Sequence, residues 1–212
     1  KKSLEAFFDK LDDRQKSSIK AACIDRNGAY ASVIEEQLPG AEIVYDKFHL
    51  LSNLGKAIDE VRREEYREAT ADMKNVIKGQ RFNLLRHPEN LTPSGELKLH
   101  GLLEINDKIN MSYLLKDQFR FVWDYKKVGW ARKYLKQWIA WVRESGVEAM
   151  IHFANGVERD IERIVSWCRH RITNGRIEGF NSTVSRIIFK ARGICSIDYL
   201  FLKLRQESLL HC

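Results

Sequence analysis

Asp25 and Asp46 each close a short apolar run, "KAACI" and "AEIVY", and His49 follows the second aspartate by three residues. Near the other end, Glu178 sits one helical turn after Asn174, bracketed by Gly175 and Gly179, which permit close backbone approach by metal or substrate. A glutamate held beside a strand-end aspartate is half of a two-metal site. Two divalent ions roughly 4 Å apart can stabilise both the attacking and the leaving oxygen of a phosphodiester. Hard oxygen ligands select Mg2+ or Mn2+ over softer metals. Each side chain also has a plainer reading. An aspartate after a strand often only caps the next helix, and Asp25 before "RNGAY" fits that role. His49 is expected as a buried structural histidine hydrogen-bonded near Asp46, with metal ligand or proton carrier as the alternative.

These side chains need elements to hold them. "SLEAFFDKLDDRQKSSI" spaces Leu4, Phe7, Phe8 and Leu11 as one helix, with Ser3 as its N-cap. "KAACI" reads as a buried strand, Ala29 to Leu38 as a helix stopped by Pro39-Gly40, and "AEIVYDKF" as a second strand. Strand, helix and strand in so few residues form a βαβ unit, which requires parallel strands and a right-handed crossover. In open parallel sheets, sites lie outside the carboxyl ends of the strands, where both aspartates fall. Leu50 to Ile77 is helical, and "DEVRREEYREA" mixes charge signs at i,i+4 spacing, as a solvated face does. "LLRHPENLTPSGE" reads as an exposed connection. Helices follow over Leu97 to Trp123, Val128 to Ser145 and Val147 to Asn155. Trp123, Trp130, Trp138, Trp141 and Trp167 lie in or beside them and are expected to pack between helices. Asn174-Gly175 opens a helix whose buried stripe is Ile177, Val184 and Ile187 or Ile188. Gly193 ends that helix, and a last amphipathic one runs from Ile197 to Leu210.

The balance of 44% hydrophobic and 31% charged residues over 212 positions indicates a soluble globular protein rather than a disordered one. No apolar run approaches the roughly 20 residues of a membrane span, and no signal peptide is recognised, so a cytoplasmic protein with no membrane partner is expected. A net charge of +7 favours polyanionic partners without specifying one. Arg171, Arg176, Arg186, Lys190 and Arg192, on or flanking the glutamate helix, are the candidates for DNA phosphate contacts, against a merely solvated basic face. The four cysteines form no CxxC pair, so reduced thiols are expected, and Cys168-Arg169-His170 has too few companions for a zinc site.

The stretches "AACIDRNGAYASVIEEQLPGAEIVYDKFHLLSNLGKAIDEVRR" and "RITNGRIEGFNSTVSRIIFKARG" resemble the catalytic region of DDE transposases of the ISL-three insertion-sequence family. The likeness covers nearly the whole chain, including the middle "LLEINDKINMSYLLKDQFRFVW". Its specific motifs are a D-x-x-H after the second strand and an N-G-x-x-E-G-x-N near the end. The resemblance implies an α/β, predominantly helical chain: an incomplete ribonuclease-H-like core with a short parallel sheet and a large helical insertion. Residues 1–50 would be the βαβ part of the core, 51–165 the insertion, and 166–212 the C-terminal helices that carry the glutamate. The implied chemistry is metal-dependent DNA cleavage and strand transfer, using Mg2+ or Mn2+. The implied partners are terminal inverted repeats and target DNA, and a homo-oligomer is compatible.

Carried over residue by residue, Asp25 resembles the second acidic residue of the catalytic triad and Glu178 the third, both as metal ligands. Asp46 and His49 resemble the D-x-x-H signature that supports the site. Asn174 and Asn181 fall around the glutamate, where they would orient a carboxylate or a phosphate. One departure stands out. In that fold the first aspartate lies on a first strand, followed by two more strands and a helix, whereas this chain begins at what reads as that helix. Asp9, Asp12 and Asp13 do not lie on a strand and cannot fill the role; Asp46 as a substitute is the alternative. The first aspartate is therefore expected to be missing from this sequence and the chain by itself to be inactive. A non-catalytic DNA-binding or regulatory remnant of a transposase is the rival reading.

Overall fold

The computed structural model describes residues 2–191 and 196–209, the side chains of 207–209 excepted. The chain divides into two compact units, residues 1–172 and 173–212. The first opens with α1 (Lys2–Phe8) and α2 (Asp13–Ser18), two helices where the spacing predicts one. The Asp12 carboxylate accepts from the Gln15 backbone N–H at 2.7 Å, and the Gln15 side chain accepts from the Asp12 N–H at 3.0 Å. That reciprocal cap starts α2 afresh. Ser3, expected as an N-cap, lies inside α1.

β1 (Ala21–Ile24), α3 (Gly28–Gln37) and β2 (Glu42–Tyr45) form the expected βαβ unit. The strands run parallel in a register from Ala21 opposite Glu42 to Ile24 opposite Tyr45. The pairing extends one step further, because the Asp46 N–H donates to the Ile24 carbonyl at 3.0 Å. Asp25 and Asp46 are thereby set just past the carboxyl ends of neighbouring strands.

α4 (Lys47–Glu68) begins directly after Asp46 and forms the spine of the core. Its Leu50, Leu54, Ala57, Ile58 and Val61 repeat at helical spacing and are all buried. Next come α5 (Ala71–Ile77), α6 (Arg81–Leu85) and α7 (Pro93–Ile105), so the stretch expected as an exposed connection is largely helical and buries Leu84. Thr92 caps α7 by accepting from the Gly95 N–H at 3.1 Å. The single helix predicted over 97–123 is broken before α8 (Asp107–Arg120). Asn106 accepts from the Ile109 N–H at 2.9 Å and donates to Glu65 at 2.9 Å, which ends one helix and caps the next.

α9 (Val128–Glu144) and α10 (Glu148–Arg159) complete the packing around α4 and α8. Phe119 lies 4.8 Å from Trp138 and 5.5 Å from Phe153 between ring centroids. Trp138 Nε1 donates to the Leu115 carbonyl at 2.9 Å. Each such buried side chain contributes about 1.5–3 kcal/mol, so the helix that carries His49 is anchored in a rigid body. Trp123, Trp138 and Trp167 are buried as expected; Trp130 and Trp141 are exposed, because they share the outward face of α9. Finally α11 (Ile161–Val165) and α12 (Trp167–His170) return to the sheet. Ser166 Oγ donates to the Ile43 carbonyl at 2.8 Å and Arg163 to the Tyr45 hydroxyl at 2.9 Å, while Arg169 pairs with Glu42.

The second unit consists of α13 (Gly175–Lys190) and α14 (Ile197–Leu209), packed on each other. Ile187 is buried and Val184 half-buried, but Ile177 and Ile188 are exposed, so the apolar stripe is narrower than expected. Arg192, Gly193 and Leu210 lie outside the described residues. Among the described residues no helix is long and apolar enough to cross a membrane.

Candidate metal centre

Asp25 is relieved of helix capping by its neighbour. Asn27 accepts from the Ala29 and Tyr30 N–H groups at 3.0 and 3.4 Å and starts α3 in its place. The capping reading of Asp25 is thus overturned: the cap falls two residues later, on a side chain of equal capping strength. Asp46 occupies the N-cap position of α4, in extended backbone conformation, yet its side chain makes no capping bond. It is 1% exposed, and neither of its oxygens has a hydrogen-bond partner among the described residues.

His49 enters one turn along α4, on the face that carries Asp46. Its Nε2 stands 2.9 Å from Asp25 Oδ1, and its side chain is 43% exposed. The expected buried histidine beside Asp46 is therefore half-exposed and paired with Asp25, because the first turn of α4 projects past the strand ends. Taking one ligand atom from each, Asp25, Asp46 and His49 lie within 4.8 Å of one another.

The electrostatics around this cluster are negative. Burial, then Asp46, then Asp25 push the Cys23 thiol up to about 12. The basic neighbours in sequence are engaged elsewhere. Arg26 Nε donates to Asp160 at 2.6 Å. The backbone of Gly156 passes so close that a Cβ there would stand 2.5 Å from Arg26 Nη2. Lys47 lies over the rings of Phe48 and Trp167 at 5.1 and 5.2 Å.

Glu178 and Asn181 belong to the second unit, three residues apart on one face of α13, and Asn174 is the N-cap residue just before that helix. Arg176, Arg186 and Lys190 are exposed on the same helix. Arg171 differs from them: it adopts a left-handed backbone (φ 50) at the end of α12, donates to the Tyr125 carbonyl at 3.1 Å and stacks 4.5 Å over Trp167. Its guanidinium is held by the protein. Cys168 is buried, its thiol pushed up by burial, and His170 pairs with Glu42 at 3.1 Å.

Sequence reasoning overlooked two basic hollows in the first unit. One of about 550 Å³ lies between α4 and α10 and is lined by Arg26, Lys56, His152 and Arg159. Another of about 650 Å³ is lined by Phe48, Lys56, Asp59, Arg63, Arg81, Lys116 and Arg120, with Asp59 paired to Arg63 and Arg81. The residues come from distant stretches, so only the fold assembles them; the exposed Phe48 directly before His49 was the one local signal.

A family model described as transposase, the ISL-three DDE type, matches residues 1–204. The chain is similar to the transposase for insertion sequence element IS1001 of Bordetella parapertussis, 33% identical over 208 residues, which is 97% of this chain and 51% of that relative. It is also similar to the transposase for insertion sequence element IS1557 of Mycobacterium tuberculosis, strain ATCC 25618 / H37Rv, 25% identical over 218 residues, covering 91% of this chain and 49% of the relative. The chain thus spans about half the length of the curated relatives it matches. No solved structure matches it.

Proposed function

The chain belongs to the ISL-three family of insertion-sequence transposases, and from that premise we propose that it is the catalytic region that cuts and joins DNA phosphodiesters, on an incomplete ribonuclease-H-like core. Residues 1–50 are the βαβ part of that core, 51–165 its helical insertion, and 166–212 the helices that bring in the glutamate. The observation that carries this reading is the buried carboxylate of Asp46 beside Asp25 and His49 at the carboxyl ends of two parallel strands.

The donor set fits a divalent ion: two carboxylates and an imidazole lie within reach of one another, one carboxylate without a protein partner among the described residues. Asp25 and Glu178 are the residues that would hold Mg2+ or Mn2+. When bound, the metal supplies activation of a nucleophilic hydroxyl and stabilisation of the leaving oxygen. The remaining work falls to the chain itself. His49 Nε2 orients the Asp25 carboxylate and can take up or return a proton at that atom. Asn181, on the face of Glu178, and Asn174, just before that helix, orient its carboxylate or a phosphate. Arg176, Arg186, Lys190 and Arg192 attract the DNA backbone, so that binding weakens steeply as salt rises. Terminal inverted repeats and target DNA are the substrates.

The test is Mg2+- or Mn2+-dependent nicking of a terminal-repeat duplex by this chain joined to whatever coding sequence precedes it in its reading frame. Asp25→Asn and Glu178→Gln are each expected to slow cutting by about a thousandfold, the worth of several kcal/mol of charge stabilisation. Cutting that survives both substitutions would overturn the proposal, and DNA binding without any cutting would favour a non-catalytic remnant.

A further inference from the structure

We infer that the hollow walled by α4, α6 and α8 in the first unit is a cradle for DNA backbone phosphates, carried by Arg63, Arg81 and Arg120, in addition to the basic residues of α13. The inference rests on the catalytic reading above for the identity of the polyanion, but the place of the cradle follows from the first unit alone.

A surplus of positive charge is the first reason. Lys56, Arg63, Arg81, Lys116 and Arg120 line the hollow against one carboxylate, Asp59. That carboxylate is already paired, since Arg62 Nε and Nη2 stand 2.9 and 2.8 Å from its Oδ1. Arg63 and Arg81 both turn to the other oxygen, Oδ2, and each stops at 3.5 Å. Three guanidinia thus converge on a single carboxylate. Like charges held this close repel one another, and an added anion relieves the repulsion.

The donors left over are the second. A guanidinium carries five N–H donors in a planar fork that matches phosphate oxygens two at a time. The side chains of Arg63 and Arg81 are 62% and 56% exposed, so most of their donors are open to an incoming group. Arg120 Nε is buried and has no hydrogen-bond partner among the described residues, a donor that the free fold leaves without an acceptor. Lys116 plays a different part. The Leu84 and Arg86 carbonyls take its ammonium, so it adds charge to the hollow rather than a contact.

Placement is the third. The α4 residues on this wall, among them Phe48, Ser52, Gly55, Asp59 and Arg63, recur every three or four positions and so share one face. From Phe48 to Arg63 the helix rises about 22 Å, the length of about six nucleotide steps of one DNA strand. Phe48 directly precedes His49, whose Nε2 meets Asp25. The hollow therefore begins beside the candidate site and leads away from it, as a track for the strand that continues beyond the cut phosphodiester.

Fluorescence anisotropy with a labelled duplex of about 30 base pairs and arbitrary sequence, from about 50 to about 200 mM salt, tests this. Arg63→Gln combined with Arg81→Gln should weaken binding at low salt at least about tenfold and lower the slope of log affinity against log salt by about 2, one for each lost phosphate contact. Lys10→Gln combined with Arg14→Gln removes the same charge from exposed positions at α1 and α2, outside the hollow, and should stay within about twofold. Circular dichroism checks the fold, and Arg81→Gln alone, at a more than half-exposed side chain, carries the test if the double variant does not fold. Affinity and slope unchanged in the hollow variants, or an equal loss in the control pair, would overturn the inference. So would a chain that binds inorganic triphosphate at micromolar concentration but no duplex, which assigns the hollow to a small phosphate ligand. Binding as described without any cutting defeats the catalytic reading and leaves this inference standing; cutting and affinity intact in the hollow variants does the reverse.

Discussion

Asp46 and Lys116 are buried almost equally, at 1% and 3% exposure, in very different company. Lys116 Nζ donates to the Leu84 carbonyl at 2.8 Å and the Arg86 carbonyl at 3.4 Å, at the C-terminal end of α6. It also lies 3.4 Å from Asp117 and 4.0 Å over the Tyr113 ring. Its charge satisfies carbonyls that a helix end leaves open. Asp46 sits at a strand end where its oxygens accept no hydrogen bond from the described residues. Burial shows that a charge is costly; the partners show whether the fold consumes it or keeps it for something else. Lys116 is consumed by structure, and Asp46 is kept.

The largest expected effect belongs to Lys116. Burial pushes its pKa down to about 8, from an ordinary 10.5. Below pH 8 both folded and unfolded states are charged, and the folded state carries the burial cost. Between 8 and 10.5 the folded state gives up its proton while the unfolded state keeps it, so stability rises with pH. The gain is at most about 3 kcal/mol. Lys116→Met should abolish it. Cys23 and Tyr134, both pushed up to about 12, act in the opposite sense at high pH. Urea denaturation at several pH values should therefore be read as wild type minus variant, and a difference independent of pH would break the contrast.

Asp46→Asn comes next, with the opposite sign from most core substitutions. In chelator it should raise stability by about 1 kcal/mol, since it removes an uncompensated buried charge. A loss of stability would mean that the fold does consume Asp46. The smallest pair separates capping from chemistry. Asn27→Ala should cost about 1 kcal/mol as a lost cap. Asp25→Asn, at a half-exposed pair with His49, should stay within about 0.5 kcal/mol. Thermal melts in the reverse order would return Asp25 to capping.

Much of this was legible in the sequence, and the remainder has identifiable causes. The βαβ unit could be read because Pro39-Gly40 punctuates it and the apolar runs are short. The break at Asn106 was written as a capping residue before Asp107, but helical spacing of apolar residues on both sides hid it. Ser3 fails as a cap because α1 begins a residue earlier. Asp25, Asp46 and His49 could be named from position, yet the histidine's partner could not, since the choice between two aspartates depends on how far the first turn of α4 overhangs the strands. That the Asp46 carboxylate accepts no hydrogen bond from the described residues was beyond any pattern, because burial at a strand end is decided by helices a hundred residues away. Glu178 was legible as a motif, on the second of the two units.

The central claim is that the carboxylates at the two strand ends lie beside a bound divalent metal. Loading the protein with Fe2+ in place of Mg2+ and adding ascorbate and peroxide cuts the backbone wherever it lies close to the bound metal. The account predicts cuts beside Asp25 and between Asp46 and His49. A backbone left uncut at both strand ends would contradict it.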